Sequence, residues 1–140
     1  MPFFHVRARL HRAIPLLAAA CFVTGAFAQA PLSGEQVYKE TCSVCHATGV
    51  EKAPRFGDRK AWAPLIKEGQ HVLIADASLG VRAMPPKGGK ASLSLEEFAR
   101  AVAYMARSSG GNWQDPDAAM MERIRAEEKK QLARRAAKKK

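Results

Sequence analysis

Between residues 31 and 114, apolar positions recur at spacings of three and four, and no stretch alternates apolar with polar at a period of two. That pattern predicts an all-α domain. Leu32-Ser33-Gly34-Glu35-Gln36-Val37 has the form of a capped helix start: Ser33 stands as N-cap, Gln36 completes a capping box, and Leu32 and Val37 take the staple positions. The helix then runs from about Gly34 through Tyr38 into Cys42, and Thr48-Gly49 breaks it. Residues 50–59, with Ala53-Pro54 and Gly57-Asp58, read as loop. Residues 60–68 place Trp62, Leu65 and Ile66 on one helical face before Gly69 stops them, and residues 70–79 form a short helix ended by Gly80, with Val72, Leu73 and Leu79 as core candidates. Arg82 to Gly89 can be neither helix nor central strand, because Pro85 and Pro86 fix φ while Gly88 and Gly89 free it. A second capping box, Ser94-Leu95-Glu96-Glu97, opens a helix that continues through Val102, Tyr104 and Met105 to about Arg107. Beyond residue 115 the apolar stripe thins to Met121, Ile124 and Leu132, which predicts a solvated, fraying helix rather than a core element.

The two ends differ from the middle. Arg7, Arg9 and Arg12, with no acid among them, precede the apolar run from Ala13 to Ala28, the pattern of a secretory signal peptide cleaved after Ala28. At 16 residues that run is short for a membrane span, which takes about 20. A retained anchor and lipidation at Cys21 are the lesser readings. The expected organisation is thus residues 1–28 as leader, 29–114 as the packed domain and 115–140 as a basic helical or disordered tail. The chain carries a formal net charge of +10. Nine of its Lys/Arg residues lie in the tail, which suits an acidic partner or an anionic membrane surface. No nucleic-acid partner is expected, and the chain is expected to be a monomer exported to the periplasm.

Without the leader, two cysteines remain, both in Cys42-Ser43-Val44-Cys45-His46. A Cys-x-x-Cys alone would fit a thioredoxin-like redox site or half of a zinc site, but the following histidine points to covalent attachment of haem c. On a helical turn, positions i and i+3 share a face, so both thiols reach one edge of a porphyrin while His46 offers an imidazole nitrogen to the iron. Export usually licenses disulfides, yet one between Cys42 and Cys45 would staple almost nothing and leave His46 without a role. A domain of some 80 residues is marginal by itself, so a bound haem would supply much of its core.

The run GEQVYKETCSVCHATGVEKAPRFGD, then KAWAPLI, AMPPKGG and LSLEEFARAVAYM, resembles a class I c-type cytochrome of the bacterial cytochrome c5 kind, from Gly34 to Arg107. The resemblance implies the class I cytochrome c fold, with several helices packed around one haem. It implies Met84 as the second axial ligand beside His46, and a thioether can bind haem iron from a loop stiffened by Pro85 and Pro86. It also implies that the Pro54 carbonyl accepts the other ring proton of His46, that Gly34, Tyr38 and Tyr104 meet where the first and last family helices cross, and that Trp62 lies near the haem. His71 is a rival sixth ligand, Met105 suits packing on a helix face, and Met120 and Met121 are remote in sequence. Lys90 stands near where some members of the group carry extra cysteines, and the basic tail is not part of the family core.

With both axial positions filled, the iron has no open site, and nothing else in the chain offers a general base or nucleophile. The expected role is that of a monohaem one-electron carrier between redox proteins of a respiratory chain, with no enzymatic activity. Lys52, Arg55, Arg82, Lys87 and Lys90 flank the ligands as a basic rim for acidic partners. The alternatives are a small haem catalyst or sensor with a displaceable methionine, and a haem subunit docked to an enzyme through the tail.

Overall fold

Both capping boxes form in the computed structural model, which describes residues 30–138. The expected leader, its cleavage after Ala28 and Cys21 lie outside the described residues. Ser33 Oγ accepts from Gln36 N at 3.2 Å and Gln36 Oε1 accepts from Ser33 N at 2.8 Å, so helix α1 (Gly34–Val37) begins where the sequence pattern places it. It is continuous with a π-helical turn (Tyr38–Cys42) and with α2 (Ser43–His46). The π turn was not legible in the sequence. There the Ser43 N–H donates to the Tyr38 carbonyl, five residues back, and a single such turn within an α-helix is frequent at functional sites.

Helix α3 (Arg59–Glu68) is capped by the Asp58 carboxylate, which accepts from the backbone N–H of Lys60 and Ala61. Gly69, at φ 98°, separates it from α4 (Gln70–Ser78). Short 3-10 turns lie at Val50–Lys52 and Pro86–Gly89, α5 spans Leu95–Ser108, and α6 spans Ala118–Ala137. Among the described residues there is one isolated backbone bridge, Val81 to Met84, and no strand. No described helix is long and apolar enough to cross a membrane.

The core is built where α1 crosses α5, with Val37, Ile74, Phe98 and Met105 fully buried. Ile74 was absent from the core expected of α4, while Leu79 is only half-buried. Gly34 makes the crossing close: a Cβ built on it would lie 2.3 Å from the Arg100 carbonyl oxygen and 3.0 Å from Tyr104 Cβ. Two hydrogen bonds clasp the same point, Leu32 N to Glu97 Oε1 at 3.2 Å and Arg100 Nε to the Leu32 carbonyl at 3.0 Å. The backbone N–H groups of Ser94 and Leu32 that Glu97 accepts hold its carboxyl below the usual carboxylate range.

The C-terminal segment departs from expectation. It is helical, capped by Asp117, and packed along α4 instead of solvated. Met121 and Ile124 are buried, and so are Glu127 and Gln131. Counting only apolar residues hid this face, because its lower half is polar and docks at the end of α4: Glu128 accepts from the Ser78 hydroxyl, and Arg135 donates to the Leu79 and Gly80 carbonyls at 3.1 and 3.0 Å, while the buried Gln131 Oε1 has no partner among the described residues. Leu132, grouped with the stripe from sequence, points outward and is 53% exposed.

Two outcomes follow from this packing. Ile124→Ala is expected to destabilise the holoprotein by about 2–4 kcal/mol, as for other buried large-to-small changes, whereas Leu132→Ala should stay within about 0.5 kcal/mol of wild type. Denaturant melts of both variants check this, and equal midpoints would show that α6 does not pack. Gly34→Ala is expected to cost about 2 kcal/mol or more, since its methyl would meet backbone that cannot swing aside. A thermal melt unchanged by that methyl would sink the close-crossing account.

Candidate functional site

The helix from Gly34 ends in His46, which is buried. Its Nδ1 lies 2.8 Å from the Pro54 carbonyl oxygen. A carbonyl can only accept, so Nδ1 carries the proton and a neutral ring leaves Nε2 with its lone pair free. The neighbouring residues complete the brace: Phe56 N donates to the His46 carbonyl at 2.7 Å, and Trp62 Nε1 donates to the Arg55 carbonyl at 2.9 Å. Three consecutive residues, 54–56, thus hold both the imidazole and the indole, whose ring centroids are 6.4 Å apart. Gly57 N then donates to the buried Ser109 hydroxyl at 3.0 Å, tying this loop to the end of α5.

Cys42 and Cys45 form no disulfide, and Cys42 is buried while Cys45 is exposed. Burial, and then the neighbouring Cys45, push the Cys42 thiol up to about 11.

Met84 sits half-buried against the core in the loop after α4. Its N–H donates to the Val81 carbonyl at 2.9 Å and its carbonyl accepts from Val81 N at 3.0 Å. Arg82 and Lys87, on either side, adopt φ of 53° and 50°, a region costly for residues with a Cβ. Lys87 Nζ donates to the Leu93 carbonyl at 2.8 Å, and Lys90 pairs with Glu40 at 3.0 Å. These two lysines are committed to structure, so of the five residues read as a basic rim, Lys52, Arg55 and Arg82 are the exposed ones.

Tyr38 lies in an aromatic cluster, stacked on Phe56 at 4.3 Å and tilted against Tyr104 at 5.8 Å. Burial is the first cause raising its hydroxyl above the ordinary value. Phe56, whose ring and backbone both serve the site, was not singled out from sequence; its place two residues after Pro54 was the available signal. His71 faces Arg123 of α6, with Nδ1 3.2 Å from the guanidinium, and Met105 is buried in α5.

The donor set suits haem. Among the described residues no group of three His, Cys, Asp or Glu side chains gathers to hold a bare metal ion, so a metal at His46 needs a ligand frame of its own, as a porphyrin supplies. The buried Thr41 hydroxyl, next to Cys42, has no hydrogen-bond partner among the described residues.

Comparisons with known proteins agree with this chemistry. Residues 29–105 match the family described as cytochrome c oxidase, cbb3-type, subunit III. Cytochrome c-555 of Chlorobaculum tepidum is 40% identical over 99 residues, covering 67% of this chain and 92% of the relative. Cytochrome c5 of Azotobacter vinelandii is 40% identical over 75 residues, covering 52% of this chain and 90% of the relative. A solved structure described as an electron transfer complex of nitrite reductase with cytochrome c contains a chain 43% identical, with a TM-score of 0.53 over 58% of this chain and 99% of that one. The helical fold, the Cys42-x-x-Cys45-His46 turn and these likenesses agree: the chain belongs to the class I c-type cytochromes, is c5-like, and has haem c as its covalently bound cofactor.

Proposed function

We propose that this protein is a monohaem electron carrier that passes single electrons between larger redox proteins of a bacterial respiratory chain, in the periplasm. The observation that carries the reading is the fixed tautomer of His46, which presents Nε2 as a ligand on the turn that bears both thiols. Haem c supplies the one-electron couple. The chain's own residues would do the rest: Cys42 and Cys45 would hold it through thioether bonds, His46 would bind its iron, and the Pro54 carbonyl would orient that imidazole.

Met84 would be the second residue to bind the iron in this reading. The support is its half-buried place against the core in a loop pinned by Pro85, Pro86 and the Val81 bridge. Ligation by a methionine thioether and a histidine would raise the potential relative to two histidines, which suits the oxidising end of a chain of carriers. Held by both residues, the iron would offer no vacant site to water or peroxide, which favours transfer over catalysis.

Partner contact through the exposed Lys52, Arg55 and Arg82 and the exposed Val44 beside Cys45 would be brief and salt-sensitive. A redox partner is supported by the related cytochrome found in complex with nitrite reductase. The protein is proposed to act as a monomer toward acidic partners. With α6 packed on α4, the outer face of that helix rather than a loose tail is what an acidic protein or an anionic membrane would meet.

Cys42→Ser with Cys45→Ser is expected to abolish covalent attachment; haem that still resists acid-acetone extraction from the double variant would overturn it. Met84→His is expected to keep the fold and lower the midpoint potential by more than about 59 mV, a tenfold shift in a one-electron equilibrium. A redox titration checks this. An unchanged potential, with the sulfur-to-iron band at the red edge of the visible spectrum intact, would assign the ligand elsewhere.

A further inference from the structure

We propose that helix α6 positions the Met84 loop through Arg135, so that the segment beyond the family core governs how firmly the methionine sulfur is kept in place. The inference rests on the reading of Met84 as the iron ligand. The family match ends at residue 105, before α6 begins at Ala118, yet α6 reaches the hinge from which that loop departs.

The contact is specific. The Arg135 fork donates from Nη1 to the Leu79 carbonyl at 3.1 Å and from Nη2 to the Gly80 carbonyl at 3.0 Å. These carbonyls follow the last turn of α4, where unpaired acceptors and the helix dipole both favour a cation. A planar guanidinium meets two successive acceptors in a way that a lysine cannot. Two turns earlier on α6, counting back along the same face, Glu128 accepts from Ser78, the last residue of α4.

Gly80 transmits the contact. It sits at φ 80°, and a Cβ built on it would lie 2.9 Å from Pro86 Cδ and 3.1 Å from the Met84 carbonyl oxygen. The residue whose carbonyl Arg135 holds therefore abuts the backbone of Met84 itself. The loop beyond it carries positive φ at Arg82 and Lys87, and such strain persists only where surrounding contacts over-determine the conformation. Val81, Leu93 and Glu40 supply some of those contacts from within the family core. Arg135 adds the one at the hinge. Removing it returns two carbonyls to water and makes a swung-out loop, with the sulfur away from the iron, easier to reach.

The experiment uses the full holoprotein in its oxidised state and titrates it with imidazole, following loss of the red-edge sulfur-to-iron band. Arg135→Leu is expected to bind imidazole roughly tenfold more tightly than wild type, equivalent to about 1.4 kcal/mol. A chain ending after Leu132, which keeps Met121, Ile124 and Gln131 but lacks Arg135, should behave alike. Arg135→Lys should recover only part of the difference, and full recovery would overturn the two-point contact. If wild type shows the band and both Arg135→Leu and the truncated chain bind imidazole as wild type does, the positioning role is wrong while the ligand assignment stands. If wild type lacks the band, the ligand assignment itself fails.

Discussion

The backbone contact between Gly34 and Arg100 is the constraint on which the rest of the structure depends. It brings α1 against α5 closely enough that no side chain fits between them, and it sets the direction in which the helix from Gly34 approaches the haem motif. Leu32, Glu97 and Arg100 lock the crossing with two hydrogen bonds, and Tyr38, Phe56 and Tyr104 fill the space beside it. Displacing this crossing by the width of a methyl group would move Cys42, Cys45 and His46 together, since they ride on the same continuous helix.

A second constraint acts on orientation rather than position. Residues 54–56 form no regular element, yet their backbone groups hold the ring of His46, its carbonyl and the indole of Trp62. Because the acceptor on Nδ1 is a backbone carbonyl, the imidazole cannot flip without losing a partly buried hydrogen bond, and its Nε2 faces one way. An electron carrier benefits from such rigidity: little has to move when the charge on its centre changes by one.

Helix α6 shows how a segment of thin apolar content still becomes part of the structure. Met121 and Ile124 bury its first turns, while farther along Glu128 and Arg135 replace apolar contact with hydrogen bonds to the end of α4. The outward residues, Arg125 paired with Glu96 and the exposed Leu132 among them, contribute less to its seating. One helix thereby presents a largely basic face to solvent and a mixed face to the hinge of the methionine loop.

How much of this was legible in the sequence varies with the range of the interaction. Capping boxes and the Cys-x-x-Cys-His turn are local: Ser33 and Ser94 act on residues three away, and the spacing of two thiols and an imidazole along one turn follows from helix geometry alone. The sequence by itself therefore determined the helices from Gly34 and Leu95, the all-α class and the haem chemistry, with Met84 and Pro54 indicated through a family resemblance. The π turn at Tyr38–Cys42, the aromatic role of Phe56, the burial of Ile74, the engagement of Lys87 and Lys90 and the docking of α6 were decided by tertiary structure alone. In most of these the partner lies far along the chain or the gain comes from polar groups meeting across helices; the π turn and the Lys87 bond to Leu93 are nearer contacts that hydrophobic periodicity does not register. Glu128 and Arg135 look like solvated charges until the Ser78 hydroxyl and the carbonyls at the end of α4 are placed beside them, and hydrophobic periodicity carries no record of where an unpaired carbonyl will be.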